Sequence, residues 1–249
     1  MNAEHREHVM IIGGSSGMGL ALAASILATG DRATIVGRDA ARLDAARKHL
    51  EADAPPGNAA SLTTAVADIA EESALERLFA GTGPVDHVAV TAVDATGAYQ
   101  PVSAFDATAA RRLIDTKLLG AALVAKHAAP IMPSTGSITF TSGIAAYRPA
   151  PGGSMVAAVN GALESLAAAL ALEMAPLRVN VVSPGWVDTP VWDAIAGEGK
   201  TARLDAMAQR LPAGRVGAPQ DIAQAFRALM ANGFITGTVL HVDGGHRFV

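Results

Sequence analysis

The chain has 249 residues, half of them apolar, with a formal net charge of −4 and no cysteine. That length fits one large α/β domain, and the acidic balance argues against a polyanion such as nucleic acid as partner. The missing cysteines exclude disulfides, thiolate zinc sites and a cysteine nucleophile.

The opening MNAEHREHVM is charged and lacks the basic-then-apolar layout of a secretory signal. It leads into the strand-like run HVMIIGG. Six further strand-length runs follow: ATIVGR, LTTAVAD, DHVAVTA, SITFTSG, RVNVVSPG and TVLHVDGG. Helical patterns fall between most of them, at 18–29, 40–51, 71–80, 105–129 and 220–231. This alternation predicts an α/β fold, a single Rossmann-type doubly wound parallel sheet of about seven strands flanked by helices. Ligands are then expected at the carboxyl ends of the strands. No linker divides residues 1–249, so one domain is expected. Residues 186–215 are the long irregular insertion, read either as a substrate lid or as a surface excursion. The longest apolar stretch, 156–171, is interrupted by Asn160 and Glu164 and is too short for a bilayer. A soluble, cytoplasmic protein with no membrane partner is the expectation.

In IIGGSSGMGL, Gly13, Gly17 and Gly19 are spaced G-x-x-x-G-x-G between a strand and a helix, with Ser15, Ser16 and Met18 completing the turn. Such a turn lets the backbone approach a pyrophosphate at a helix N-terminus, so the chain reads as a dinucleotide-binding domain. The end of the second strand carries Gly37 and Arg38 instead of an acid. An acid there would bind a ribose diol, whereas Arg38 would pair with a 2′-phosphate. NADP(H) is therefore preferred over NAD(H), the alternative being a surface Arg38 paired with an acid such as Asp39.

With these motifs the chain resembles the short-chain dehydrogenase/reductase family over nearly its whole length. The resemblance is carried by the glycine loop, VAD ending at Asp68, VDHVAV, ITFTS, LEMAPLRVNVVSPGWVDTP, GRVGAPQDIA and ITGTVLHVDGG. It implies hydride transfer between NAD(P) and an alcohol or carbonyl of a small molecule. It matches Asp68 to an adenine contact, and Pro184, Gly185 and Thr189 to the segment beside the nicotinamide. Asp68 also fits a helix N-cap, with Glu71 reaching back as a capping box. Helices from Phe105 and Met155 resemble the family's dimer-forming helices, so a homotetramer or homodimer is expected.

The resemblance breaks at the family's Asn–Ser–Tyr–Lys set. Ser142 matches the Ser, but Met155 stands at the Tyr position, Val159 at the Lys position and Lys117 at the Asn position. Methionine donates no proton and valine binds no ribose hydroxyl, so reduction by the Tyr route is not expected. General acid–base help is worth roughly 10²–10⁴-fold. Lys117 with Ser142 is the candidate substitute proton-relay pair, its ammonium lowered in pKa by burial. The opposing reading has Lys117 reaching solvent, Asp115 or a backbone carbonyl. Tyr147 is a second phenol near the site, read chiefly as pocket lining, and a hydrolytic Ser142–Lys117 pair is the least favoured chemistry. Histidines at 5, 8, 49, 87, 127, 241 and 246 form no ligand cluster in sequence, so no metal is expected. Three readings remain: an oxidoreductase with a non-standard active site, a catalytically silent nucleotide-binding or partner subunit, and a cofactor-free structural oligomer.

Overall fold

The computed structural model describes residues 6–249. In the first half, β1 (His8–Ile12), α1 (Gly17–Ala28), β2 (Arg32–Gly37), α2 (Ala40–Asp53), β3 (Leu62–Val66), α3 (Glu72–Ala80) and β4 (His87–Val90) follow one another. α4 (Ala107–Ile114) and α5 (Gly120–Ala128) precede β5 (Ser137–Thr141), and α6 (Ser154–Glu173) precedes β6 (Arg178–Pro184). α7 (Val191–Ala196), α8 (Lys200–Ala208), α9 (Pro219–Ala231) and β7 (Val239–Val242) come last. Among the described residues, seven strands form one sheet in the order β3-β2-β1-β4-β5-β6-β7, and every neighbouring pair is parallel.

The strands are apolar on both faces because helices cover both faces. Successive β1 side chains point opposite ways. Val9 and Ile11 join Leu22 and Ile26 of α1 and Phe226 and Leu229 of α9 in one core. Met10 and Ile12 join Leu75 and Phe79 of α3 and Val124 of α5 in the other. The strand order reverses between β1 and β4, which opens a crevice above their carboxyl ends.

Two regions differ from the sequence expectation. The helix expected over 105–129 is broken by a π-helical turn, Asp115–Leu119, which carries Lys117. Such turns insert a residue into the helical ladder and often occur at functional sites. Just after it, Gly120 lets the chain run close to Ile69, whose Cγ1 would lie 2.8 Å from an added Cβ. The segment 186–215 is ordered and largely helical, in α7 and α8. Gly197 and Gly199 interrupt its helical pattern, which disguises it in sequence. Its base is pinched shut: Gly217 N donates to Trp186 O at 2.8 Å and Asp188 N donates to Gly217 O at 2.9 Å.

By length and composition α6 is apolar enough to cross a membrane, with a mean hydropathy of 1.7. It packs instead beside β6, with Val156, Val159, Leu163, Ala167 and Ala171 buried in the core.

Candidate active site

The glycine loop follows β1 into the crevice. Gly13 sits at φ +96°, and a Cβ there would lie 2.6 Å from Ala92 N. A Cβ on Gly19 would collide with Gly13 O. The turn is therefore possible only with glycine, and Thr91 Oγ1 locks it by donating to Gly13 O at 3.1 Å. Ser16, the N-cap of α1, makes no side-chain capping bond, and the helix ladder begins with Leu20 N donating to Ser16 O. The amides of Gly17, Met18 and Gly19 thus have no acceptor within the helix, an arrangement that fits a bound phosphate.

This loop lines one wall of a cleft of about 620 Å³. Gly37, Arg38 and Arg42 border its outer end, Asp68 and Asp94 also line it, and Thr189 and Ile195 close it from the 186–215 segment. A Cβ on Gly17 would lie 3.4 Å from Thr189, so the loop and the base of that segment nearly touch. Gly185 N donates to Val242 O at 2.9 Å, and a Cβ on Gly185 would lie 2.7 Å from Asp243 Cα. The Pro184–Gly185 backbone is thereby fixed against the end of β7.

Arg38 does not pair with Asp39. Asp39 is occupied as the N-cap of α2, accepting from Ala41 N and Arg42 N at 2.9 and 3.1 Å. Arg38 instead bonds Asp94 Oδ2 at 3.0 Å, its side chain still 58% exposed. Burial opposes the charge on Asp94, but hydrogen bonds from Thr96 and Arg38 outweigh it and hold the carboxyl below its usual range. Arg42, in the first turn of α2, reaches Ser16 Oγ at 3.4 Å. Two guanidiniums and the loop hydroxyls therefore share the outer end of the cleft. Asp68 accepts from Ala70 N at 3.0 Å, while the N-cap of α3 is Glu71 without a side-chain capping bond. The capping-box reading of Asp68 is thus corrected: its carboxylate closes a local turn at the cleft edge.

Lys117 and Ser142 do meet, but through the backbone. Lys117 Nζ donates to Ser142 O at 3.0 Å, the carbonyl contact set against the relay at the outset. Part of the lysine surface reaches solvent, yet the ammonium itself is enclosed. Burial lowers its pKa to about 8, with the Glu164 carboxylate pulling the other way. The Ser142 hydroxyl points elsewhere, donating to Glu164 Oε1 at 2.7 Å. Tyr147 donates to Glu164 Oε2 at 2.5 Å. Burial first, then the bond and charge of Glu164, push the Tyr147 phenol up to about 12, so it stays protonated at neutral pH and is a poor acid. Val159 is buried, and Met155 packs beside it in a small apolar cluster with Leu113 and Val156.

Sequence reasoning named the loop residues, Arg38, Asp68, Lys117 and Ser142 but missed Arg42, Asp94 and Glu164. Arg42 had a signal, four residues after Arg38 on a helical pattern. Glu164 had one too, as the acid that interrupts the apolar stretch 156–171. Asp94 had none, because its contact with Arg38 joins two separate strand ends. Among the described residues no group of three or more metal-ligating side chains is assembled, and His5 lies outside them.

Comparison with known proteins fits this architecture. A family described as enoyl-(acyl carrier protein) reductase matches residues 13–247. The chain is 35% identical to short-chain dehydrogenase/reductase ATR9 of Stachybotrys chlorohalonatus over 246 residues, 96% of each chain. It superposes on the structure of MalC reductase/Diels-Alderase from Malbranchea aurantiaca with a TM-score of 0.88 at 35% identity, covering 97% of this chain and 96% of that one. A small-chain dehydrogenase solved in complex with NADPH aligns with a TM-score of 0.77 at 31% identity, covering 98% of this chain and 100% of the other. The glycine-loop cleft at the β1/β4 switch and these matches together show that the chain belongs to the short-chain dehydrogenase/reductase family of oxidoreductases.

Proposed function

We propose that this chain is an NADP(H)-dependent oxidoreductase that moves hydride to or from a small organic substrate through a non-standard active site. The observation that carries the reading is the enclosed ammonium of Lys117, held on the Ser142 backbone, while Met155 and Val159 offer no acid in their apolar cluster. Its lowered pKa makes it a proton donor near neutral pH, which a solvated lysine is not.

Arg38 and Arg42, with Ser15 and Ser16, favour a 2′-phosphate, and the end of β2 carries Gly37 instead of an acid. The loop amides suit the pyrophosphate, and Pro184, Gly185 and Thr189 suit the nicotinamide end. When bound, NADPH supplies the hydride. Val159 gives the nicotinamide ribose no hydrogen bond, so the adenosine half carries most of the affinity. The α7–α8 segment acts as a lid, with Lys200 tying it through Asp188 and Asp193 at 2.9 and 3.1 Å. Hydride acceptors that need little acid help, an iminium or an activated alkene, suit this site better than a ketone. The outward faces of α5 and α6, where Leu172 is 84% exposed, support a homodimer or homotetramer. A monomer in light scattering at micromolar concentration would refute that part.

The test is calorimetric titration with NADPH and then NADH at fixed salt, followed by turnover of iminium, enone and ketone panels. Micromolar NADPH binding, much weaker NADH binding and turnover that drops in Lys117→Ala are expected. The second reading, a silent nucleotide-binding subunit, is favoured by the Ser142 hydroxyl being engaged by Glu164 instead of Lys117. Tight NADPH binding with no turnover of any panel member would select it.

A further inference from the structure

On the far side of the Ser142 loop, three segments converge. The Tyr147 ring meets the His241 ring edge-on at 4.5 Å, and the exposed Arg148 is its neighbour in the chain. Pro212 packs on Gly245, which stands at φ +86° and whose added Cβ would lie 2.6 Å from Pro212 Cγ. Ala213 N donates to Gly244 O at 3.1 Å, so the end of the lid segment, which carries the exposed Arg210, meets the turn after β7. Between them lies His246, only 7% exposed, with no hydrogen-bond partner for its Nδ1. The Nδ1 of His241 is likewise buried and unpartnered. The indole of Trp186 meets the His246 ring at 6.3 Å and stacks at a tilt on Trp192 at 4.4 Å. Trp186 directly follows Pro184–Gly185, so this cluster adjoins the proposed nicotinamide end of the cleft.

The charges here do not balance within the chain. Asp243 is engaged by Arg247 Nε at 2.9 Å and by the amides of Gly245 and Arg247. Glu164 is engaged by the hydroxyls of Ser142 and Tyr147 and faces Lys117. Among the described residues, no hydrogen bond or ion pair is made by the guanidinium of Arg148 or of Arg210. Burial, with Arg210 and Arg148 adding to it and Asp243 opposing, keeps the His246 imidazole below its usual pKa. This favours the neutral imidazole, which carries one N–H. Two exposed guanidiniums without an ion pair, both acting on a buried imidazole that lies against an indole, match an anionic oxygen group on an apolar body.

We infer that Arg148, Arg210 and His246 form a carboxylate subsite, so that the substrate of the reaction proposed above, on which this assignment rests, is an organic carboxylate. The guanidiniums take the two oxygens and the indoles cover the apolar remainder.

The test uses the full chain without cofactor and benzoate as probe, so it reads the subsite independently of NADPH binding. The imidazole resonances of His246, assigned with His246→Gln, are followed through a pH titration with and without benzoate. Benzoate should raise the His246 pKa, and the neutral analogue benzamide should not. Arg148→Gln/Arg210→Gln should weaken benzoate tenfold or more while keeping the wild-type unfolding temperature. Equal benzoate affinity in wild type and double variant, or an unresponsive His246, would overturn the subsite. Inorganic phosphate acting at lower concentration than benzoate would overturn the carboxylate assignment. If benzoate binds as expected but no carboxylate-bearing acceptor is reduced, the subsite stands and the oxidoreductase reading fails.

Discussion

Ser142 donates its hydroxyl hydrogen to Glu164 across 2.7 Å, so a carboxylate on α6 orients the one family hydroxyl this site retains. The same carboxylate accepts from Tyr147 and acts electrostatically on Lys117. Glu164→Gln keeps the volume but removes the charge, and an amide N–H cannot accept from a hydroxyl. Two shifts follow, both downward. The Tyr147 phenol falls from about 12 toward its ordinary value, visible by ultraviolet titration because the chain has only two tyrosines. The alkaline limb of turnover moves to lower pH, because Lys117 loses the charge that favoured its protonated form. Unchanged titrations of both groups would remove Glu164 from the site.

Lys117 itself makes a signed prediction. With a pKa of about 8 in the folded chain, the ammonium is present at pH 7 and lost above 8. In the reducing direction, kcat/KM should fall through an apparent pKa near 8, and Lys117→Met should lower the plateau and abolish that limb. Stability runs the other way. Between pH 8 and the ordinary lysine range the unfolded chain holds a proton that the folded chain has released, so this residue makes stability rise with pH there. Below pH 8 both states are protonated and its contribution is flat. Lys117→Met should therefore be more stable than wild type at pH 7 and lack the rise, as read by denaturant melts across pH.

The fold was legible because its signals are local. Each strand is a short apolar run closed by Gly, Asp or Ser, and the glycine loop announces the first βα turn. The two places where the reading slipped are also instructive. A π turn differs from an α turn by one inserted residue, which no periodicity over 105–129 reveals. The α7–α8 segment is interrupted by Gly197 and Gly199 and looked irregular. At the site, the family resemblance points to Ser142 and Lys117, but not to the direction of a hydroxyl. Whether Ser142 faces lysine or glutamate depends on how β5 and α6 pack, which is long-range information. The Arg38–Asp94 pair was hidden for the same reason, its members 56 residues apart.

At the outer end of the cleft, Arg38→Gln and Arg42→Gln should each weaken NADPH about tenfold, as expected for losing one partly exposed charge-assisted bond of about 1.4 kcal/mol. NADH, with no 2′-phosphate, should bind each variant much as it binds wild type. The double variant should therefore approach equal affinity for the two cofactors. Asp94→Asn provides the complementary arm. It frees Arg38 from its ion pair and should strengthen NADPH without affecting NADH. Calorimetry on the four variants and wild type checks the set, and parallel losses for both cofactors would show the arginines acting on fold, not on phosphate.

A last prediction concerns the frame that holds the site. Arg178 opens β6, is 6% exposed, and ends among the carbonyls that close α9. It donates to Leu229 O at 2.6 Å and Met230 O at 2.9 Å, with longer bonds to Asn232 O and Ile235 O at 3.2 and 3.3 Å. The last carbonyls of a helix have no partner within it, and a cation there also meets the negative end of the helix dipole. Arg178→Met fills the space and strands those oxygens, a loss of about 3 kcal/mol for buried acceptors deprived of a charged donor. For a domain of this size that is a fall of roughly 6–12 °C in Tm. Because α9 packs on α1 directly behind the glycine loop, excess NADPH should recover part of the loss by binding only the folded chain. A variant as stable as wild type would mean that α9 closes without this guanidinium.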